Sequence, residues 1–272
     1  MTIKDYSVSQ EDFTLVYDSV LKLYRTTPLP NDLKKYYESE DYISHTDSRK
    51  TLFDKLYQWV KSYNLKHKIA LIKQYKKGNI HLLDIGAGTG DFVLSSKKYA
   101  HWEAMGIEPS EKARTKAKEK GVLLQADFSN LLPHSFDVIT MWHVLEHVPD
   151  VTQEIQIISN LLKENGIAVI AVPNYRSWDA QHYKEHWAAY DVPRHLWHFS
   201  KDSIEQLFAK EGFHLLATHP MLFDAFYVSM LSEQYKTGKK SFLKGFLNGL
   251  RSNYYGWHKG EYSSQIYVLG KK

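Results

Sequence analysis

The chain has 272 residues, contains no cysteine and carries a formal net charge of only +4. The lack of cysteine excludes disulfides, thiolate nucleophiles and cysteine-ligated zinc, and the interspersed charges do not favour nucleic acid as a partner. The length predicts one large α/β domain with helical additions. We see neither a signal-peptide core nor an apolar run near the roughly 18 residues of a membrane span, so we expect a cytoplasmic protein.

Residues 1 to about 75 show helical spacing rather than strand alternation. Apolar and aromatic side chains recur at intervals of three and four between Leu52 and Val60. We therefore expect a helical N-terminal extension over residues 1–75, followed by the main domain over residues 76–272.

The stretch 81–90, HLLDIGAGTG, joins a strand to a glycine-rich turn and then a helix. The short apolar run over residues 80–85 is typical of a strand covered on both faces. Three glycines then allow a tight turn and bring the backbone close to a ligand. The junction predicts a nucleotide-type cofactor pocket, and its candidate binding residues are Asp84, Gly86, Ala87, Gly88 and Gly90.

The glycine spacing distinguishes two kinds of cofactor. The dinucleotide fingerprint G-x-G-x-x-G places a pyrophosphate on a helix N-terminus. Here the run is G-x-G-x-G, and Asp91 occupies the position of the third fingerprint glycine. A carboxylate there disfavours a pyrophosphate but tolerates a cationic amine or sulfonium. The run resembles motif I of the class I S-adenosylmethionine (SAM)-dependent methyltransferases, D-x-G-x-G-x-G.

An acidic residue follows the second predicted strand, over residues 102–107. Glu108 lies 24 positions after Asp84, close to the spacing of about 20 at which an acidic side chain meets a ribose. Together with Pro109 and Ser110, it also suits the first turn of a helix. Both roles are compatible, so we expect Glu108 and Pro109 to contact the cofactor.

A further acidic residue follows the third predicted strand, over residues 121–125. Asp127 stands between Ala126 and Phe128, where a carboxylate could bind the adenine amino group and an aromatic ring could stack on the base. Taken alone, Asp127 is a typical turn residue. Open α/β sheets bind ligands beyond the carboxyl ends of their strands. This favours a cofactor contact for Ala126, Asp127 and Phe128.

The segment 141–149, MWHVLEHVP, follows the fourth predicted strand, 135–141, and permits two interpretations. His143, Glu146 and His147 match H-x-x-E-H, the inverted zinc-protease signature. The preceding strand and Pro149 leave no long helix to hold such a zinc pair, and a third ligand is unassigned. The segment also resembles the post-strand-four motif of small-molecule methyltransferases. This resemblance implies that Met141, Trp142 and His143 line SAM and that His143 or His147 faces the acceptor.

A second cluster of aromatic and histidine residues follows the fifth predicted strand, 166–172. Its part W-x-x-x-D-V-P-R-H-L-x-H-F-S, which begins at Trp187, resembles a subgroup close to the ubiquinone-biosynthesis O-methyltransferases. For Arg194 and His195, a functional and a structural role are equally compatible with the sequence. A metal site built from the histidines of this cluster is not expected, because neither cysteine nor a tight set of acidic partners accompanies them.

The rest of the chain returns to the sheet after an insertion. A serine-capped helix over residues 200–210 and a sixth strand over residues 213–218 complete the alternating pattern. Residues 221–260 are aromatic, lysine-rich and glycine-spaced, which predicts a helical insertion, and residues 265–269 form a last strand. The insertion could cap an apolar acceptor, rest on a membrane surface or join a dimer.

An early element, Y-x-S-x-x-Y-x-S-H over residues 37–45, is similar to a lid of the same methyltransferase subgroup. In that subgroup the element lies across the cofactor. The resemblance implies that Tyr42 and His45 contact SAM.

The resemblance implies a Rossmann-like class I methyltransferase fold. It has a mostly parallel seven-stranded sheet with an antiparallel last strand, here with an N-terminal helical lead-in and the insertion 221–260. The predicted activity is SAM-dependent methyl transfer to a small molecule, at oxygen, without a metal, and the candidate catalytic residues are His147, His143 and His195. A catalytically idle SAM-binding protein and a zinc hydrolase are the alternatives. RNA methylation is a minor variant, and a homodimer is left open.

Overall fold

The computed structural model describes residues 1–30, 32–36 and 52–271. Within them, two sheets run in the orders β1-β2-β3-β8 and β5-β4-β6-β7-β10-β9. The strands are β1 Thr2–Lys4, β2 Asp12–Asp18, β3 Leu23–Thr27, β4 His81–Ile85, β5 Glu103–Ile107, β6 Phe136–Trp142, β7 Leu162–Pro173, β8 Trp197–His198, β9 Phe213–Pro220 and β10 Ser264–Lys271.

Helices alternate with the strands of the larger sheet, which gives the predicted α/β class. The α-helices are Leu52–Tyr75, Asp91–Ala100, Glu111–Glu119, Val151–Leu161, Trp178–Tyr183, Lys201–Ala209, Leu222–Thr237 and Phe242–Lys259. The predicted serine cap is confirmed, because Ser200 and Ser203 form a reciprocal capping box at the start of Lys201–Ala209. In the described part of the chain, no helix combines the length and apolar character needed to span a bilayer.

The larger sheet is mostly parallel, as predicted, and its last strand along the chain is antiparallel. The carbonyl oxygen of Ser263, just before β10, accepts a hydrogen bond from the Asn174 N–H just after β7, and the Ser264 carbonyl accepts one from the Met221 N–H just after β9. Strand β10 therefore begins where both of its neighbours end.

The predicted strand count of seven is wrong by one, since the larger sheet has six. The predicted third strand, 121–125, is reduced to a single parallel bridge between Ile107 and Gln125. This segment lies outside β5 at the edge of the sheet, and Leu123 leaves 77% of its surface exposed.

The predicted helical lead-in is correct for Leu52–Tyr75 and wrong for the first thirty residues, which form β1, β2 and β3. Phe13 and Leu15 alternate inward in β2 and are 4% and 2% exposed. The exposed neighbours Val16 and Tyr17 are themselves apolar, so the alternation that identifies a half-buried strand is hidden in the sequence. The predicted boundary at residue 75 stays a prediction.

The chain consists of two compact units. The histidine-rich unit comprises Met1–Ser39, His143–Ile155 and Ile170–Leu269, and the glycine-motif unit comprises Glu40–Trp142, Gln156–Val169 and Gly270–Lys272. An aromatic core in the histidine-rich unit packs Tyr36, Tyr183, Trp187 and Tyr190 against β1 and β2.

Candidate functional site

In the glycine-motif unit, four segments of the larger sheet end in line. Ile85 pairs with Ile107 and with Met141, and Ile107 also bridges to Gln125. The residues that come next, at positions 86, 108, 126 and 142, therefore leave the sheet at the same edge. The structure thus brings together the predicted glycine turn, Glu108, the Ala126–Asp127–Phe128 segment and Trp142.

The glycine turn depends on backbone conformations that favour glycine. Gly86, Gly88 and Gly90 have φ values of 70°, 54° and 74°, in the left-handed region where a side chain is strained. A Cβ on Gly88 would meet nothing within 4 Å. The turn therefore presents bare backbone at Gly88 toward open space, whereas a Cβ on Gly90 would lie 3.0 Å from Val122 Cγ1.

Asp84 lies inside β4 rather than beyond its end, and it is only 2% exposed. Its Oδ1 accepts a 2.6 Å hydrogen bond from the Thr140 hydroxyl on the paired strand. Burial raises the pKa of Asp84 to about 7, although the Thr140 hydrogen bond and the charge of Lys68 oppose the shift. A carboxyl whose pKa is shifted by burial is a candidate functional-site residue.

Glu108 ties the end of β5 to the glycine turn. Its Oε2 accepts a 2.8 Å hydrogen bond from the Gly88 N–H, and its Oε1 accepts one of 2.9 Å from the Ser110 N–H. Each carboxylate oxygen has a second lone pair that a ribose hydroxyl can use. Ser110 also caps the helix Glu111–Glu119, so the structural role foreseen for this turn coexists with the ligand-facing one.

Asp127 is exposed, and its Oδ1 accepts hydrogen bonds from the backbone N–H and the hydroxyl of Ser129. These bonds lower the pKa of Asp127. The carboxylate therefore closes a local turn while staying at the ligand-facing edge, next to the half-buried Phe128.

Trp142, the last residue of β6, carries a buried donor at this edge. Its Nε1 has no hydrogen-bond partner among the described residues, and its ring meets Phe92 edge-on at 5.4 Å. Met141, predicted to line the cofactor, has a side chain that is 0% exposed and belongs to the core. Only its backbone can reach a ligand at this edge.

Two features here were missed or misjudged from sequence. The Lys68 ammonium lies 4.1 Å from the Trp142 ring centroid, and no motif marks a lysine in the middle of a helix. Asp91 does not present a lone negative charge, because Lys61 and Lys120 approach its carboxylate to 2.9 Å and 3.1 Å. The inference that the charge at this position selects a cationic ligand is therefore not supported.

In the histidine-rich unit, His143 bridges two carboxylates. Its Nδ1 lies 3.2 Å from Glu146 Oε1 and its Nε2 lies 2.9 Å from Asp224 Oδ2. Burial alone would lower the pKa of His143, but the hydrogen bonds and charges of Asp224 and Glu146 raise it to about 10. His143 is therefore an imidazolium at neutral pH, with no lone pair to take a proton or to ligate zinc.

His147 is oriented by a backbone carbonyl. Its Nδ1 lies 3.0 Å from the carbonyl oxygen of Arg194; since a carbonyl only accepts, Nδ1 carries a hydrogen, and in the neutral imidazole the lone pair is on Nε2. The ring meets that of His195 edge-on at 4.6 Å. His147 can therefore act as a proton acceptor through Nε2.

His195 is similarly oriented, because its Nδ1 lies 2.9 Å from the carbonyl oxygen of Ala189. Burial and the neighbouring His147 lower the pKa of His195 to about 4, so it is neutral at pH 7. Arg194 is a structural residue: its guanidinium bonds Asp191, the Tyr36 carbonyl and the Ser7 hydroxyl.

Glu146, His147 and His195 together offer ligand atoms within 4.8 Å of one another, a spacing that could hold a metal ion. Glu146 is 0% exposed, and its Oε2 has no hydrogen-bond partner among the described residues. This set differs from that of the zinc-hydrolase alternative, because His143 is not part of it. The expectation that no metal is required stays a prediction. Tyr42 and His45 lie outside the described residues.

Sequence comparison agrees with this geometry. A family model described as a methyltransferase domain matches residues 56–218. The ubiquinone biosynthesis O-methyltransferase of Vibrio cholerae serotype O1 (strain M66-2) is 32% identical over 146 residues, which are 50% of this chain and 57% of that protein. The chain spans about half the length of the curated relatives it matches.

Solved structures share the fold at low identity. Phosphoethanolamine N-methyltransferase 2 of Haemonchus contortus, in complex with SAM, aligns with a TM-score of 0.56 and 16% identity over 100% of this chain and 71% of that one. Magnesium protoporphyrin IX methyltransferase of Synechocystis PCC 6803, with bound S-adenosylhomocysteine, aligns with a TM-score of 0.54 and 14% identity. The alignment covers 84% of this chain and 91% of that one. Because the family model covers more than half of the chain, this protein belongs to the methyltransferase domain family.

Proposed function

We propose that this member of the methyltransferase domain family transfers the methyl group of SAM to a small molecule. We further propose that the acceptor atom is oxygen and that His147 takes the acceptor's proton. The observation that carries the proposal is the hydrogen bond of His147 Nδ1 to the Arg194 carbonyl, which makes Nε2 the atom that accepts a proton in the neutral imidazole. A hydroxyl acceptor needs such a base because it must lose its proton as it takes the methyl group. The printed names of the curated relatives, ubiquinone biosynthesis O-methyltransferases, support oxygen as the acceptor atom.

For cofactor binding, we assign Glu108 to the ribose hydroxyls and Asp127 with Phe128 to the adenine. The bare backbone of the glycine turn lies beside them, with Ala126 and Pro109 completing the edge. The buried Trp142 Nε1, which has no partner among the described residues, is a donor that a polar group of SAM would satisfy. Lys68, close to this ring, supplies positive charge for the methionyl carboxylate.

Methyl transfer depends mainly on how the protein orients SAM and the acceptor. SAM supplies an activated methyl group on a positive sulfur, and the protein positions the acceptor and removes one proton. Correct placement of two reactants contributes about 7–11 kcal/mol to lowering the barrier, and a positioned base adds roughly a hundred- to ten-thousand-fold. We assign His143 and Glu146 to positioning, since the pKa of His143 near 10 keeps it protonated, and His195 to the wall beside His147.

The test compares His147→Ala with the wild type, using methyl-labelled SAM and a panel of phenols, catechols, amines and carboxylic acids. We expect turnover of hydroxyl acceptors to fall by roughly a hundredfold or more, while calorimetry finds SAM affinity unchanged. His214→Ala, an exposed histidine on β9, is the matched control and should keep full turnover. Normal turnover by His147→Ala would refute the base assignment.

The same panel addresses the alternatives. Methylation of amines alone would refute oxygen as the acceptor atom, and no product with any acceptor would favour an idle SAM-binding protein. Metal analysis of the purified protein tests the expectation that none is required: full turnover after chelation supports it, and loss of turnover restored by a divalent cation contradicts it. A cytoplasmic location and a homodimer stay predictions.

A further inference from the structure

The helix Phe242–Lys259 keeps large apolar side chains exposed. Seven of its residues leave 45–75% of their surface accessible. At 3.6 residues per turn these positions fall within one arc of about 140°. We call this the aromatic face, and it comprises Phe242, Leu243, Phe246, Leu247, Leu250, Tyr254 and Trp257.

The opposite side of the same helix is buried through small residues. A Cβ added to Gly245 would lie 2.6 Å from Met230 Cγ, and one added to Gly249 would lie 2.7 Å from Phe226 Cδ1. Met230 and Phe226 belong to the neighbouring helix Leu222–Thr237, so the two backbones are in close contact. The helix cannot rotate to bury its aromatic face without losing this packing.

Positive charge accompanies the aromatic face. Five lysines, one arginine and no acidic residue lie between Lys236 and Lys259, although the whole chain has a net charge of only +4. All six basic residues are exposed. An open groove of about 430 Å³ along the same helix is lined by both kinds of side chain, the aromatic Trp178 and Tyr254 and the basic Arg251 and Lys259.

We propose that the aromatic face docks on an anionic phospholipid surface. A helix with a continuous face of Trp, Phe and Leu beside Lys and Arg lies in the plane of a membrane interface, where its apolar side chains enter the acyl boundary. Anionic headgroups then attract the basic residues, and Tyr254 and Trp257 suit the depth at which aromatic rings accumulate.

Charge argues against a second copy of this chain as the occupant. A two-fold interface brings the same patch of both subunits together, so each basic residue would approach its own copy without an acidic partner on this helix. An anionic surface instead offers these exposed charges partners of opposite sign. Electrostatic complementarity therefore selects the lipid.

Co-sedimentation with lipid vesicles tests the proposal on the full chain without SAM or acceptor. We expect at least about tenfold tighter binding to vesicles that contain phosphatidylglycerol than to vesicles of phosphatidylcholine alone. High salt should weaken the binding. Binding should also shift the Trp257 emission to the blue, a change that Trp257→Phe removes. Equal affinity for both vesicle types, or no binding to either, would overturn the proposal.

Matched variants test which residues act. Phe246→Ser with Trp257→Ser, and separately Lys240→Glu with Lys244→Glu, should each reduce vesicle binding at least about tenfold while SAM binding persists. The controls Val20→Ser and Lys97→Glu change an exposed apolar and an exposed basic residue elsewhere and should bind as the wild type does. Unchanged binding by either double variant contradicts the docking face. A concentration-dependent dimer lost in Phe246→Ser/Trp257→Ser would identify a second copy as the occupant instead.

Discussion

Asp84 couples the stability of the sheet to pH. Its pKa, raised by burial to about 7, lies above the value of 3.8 for an unperturbed aspartate, so the folded state holds the proton more tightly than the unfolded chain does. The stabilisation is fully present below pH 3.8 and is lost as the pH rises through about 7.

We therefore predict that Asp84→Asn flattens the pH dependence of the free energy of unfolding. Urea unfolding of wild type and variant at acidic, neutral and mildly alkaline pH measures it. Glu119→Gln, which changes an exposed carboxylate, should leave the wild-type profile intact. An identical pH profile for wild type and Asp84→Asn would show that Asp84 does not titrate as inferred.

His143 also stabilises the folded state more at low pH, but it does so as a charged imidazolium, whereas Asp84 does so as a neutral carboxyl. Its pKa of about 10 exceeds the ordinary 6.5, so the stabilisation is fully present below pH 6.5 and is lost as the pH rises through about 10. The His143 side chain is 34% exposed while Glu146 is buried.

His143→Ala leaves the Glu146 carboxylate buried without this cation, and we predict a loss of about 1–3 kcal/mol in the free energy of unfolding. The loss should be largest below pH 6.5 and should shrink toward pH 10. Denaturant unfolding across this range measures it. A loss that does not vary with pH would mean that the imidazolium is not the stabilising species.

At the scale of single residues, the sequence predicts the site residues that lie next to a motif. It misses the residues that reach the site from distant parts of the chain. The glycine turn and Glu108 follow strands whose apolar runs are visible, so their shared edge could be inferred. Lys68 and Asp224 lie within helices with no local signature, and only folding brings them to Trp142 and His143. The Met141 side chain belongs to the core, and its predicted contact with the cofactor stays a prediction.

At the scale of elements, a threonine side chain supplements the backbone pairing between β3 and β8. Thr26 Oγ1 donates a 2.6 Å hydrogen bond to the His195 carbonyl and lies 2.9 Å from His198 Nε2. The hydroxyl hydrogen is used by the carbonyl, so His198 donates through Nε2. Both contacts are buried.

Thr26→Val keeps the shape of the side chain but leaves a carbonyl and an imidazole N–H unsatisfied. We predict a loss of about 1–3 kcal/mol in the free energy of unfolding. Thr27→Val is the matched control, since the hydrogen bond of Thr27 to the Thr14 carbonyl is exposed, and it should cost under about 0.5 kcal/mol. Equal losses for the two variants would contradict this account of the β3–β8 pairing.

Element prediction succeeded where periodicity was undisturbed. The buried strands β4 and β6 were identified from short apolar runs, the helix Lys201–Ala209 from its serine cap, and the helical insertion from its composition. It failed in β2, where exposed apolar residues mask the alternation, and at residues 121–125, where a strand-like run remains nearly unpaired at the edge of the sheet. The exposure of a strand's side chains depends on the elements that pack on it, and the local sequence pattern does not predict those elements.

At the scale of the whole molecule, the family and the cofactor follow from one stretch of chain, whereas the acceptor does not. The glycine turn and the acidic edge support SAM as the proposed cofactor. The histidine-rich unit, which includes the helix Phe242–Lys259, carries the proposed base and the proposed docking face, and their partners have to be identified by experiment.

The central claim is that SAM binds at the shared edge of the strands with Glu108 on its ribose. Calorimetry with SAM and S-adenosylhomocysteine tests it most directly, on wild type, Glu108→Gln and the control Glu103→Gln, which changes an exposed carboxylate at the start of the same strand. We predict one site per chain for wild type and control, and an affinity at least about tenfold weaker, or about 1.4 kcal/mol, for Glu108→Gln. No binding by the wild type, or equal affinity for wild type and Glu108→Gln, would contradict the account.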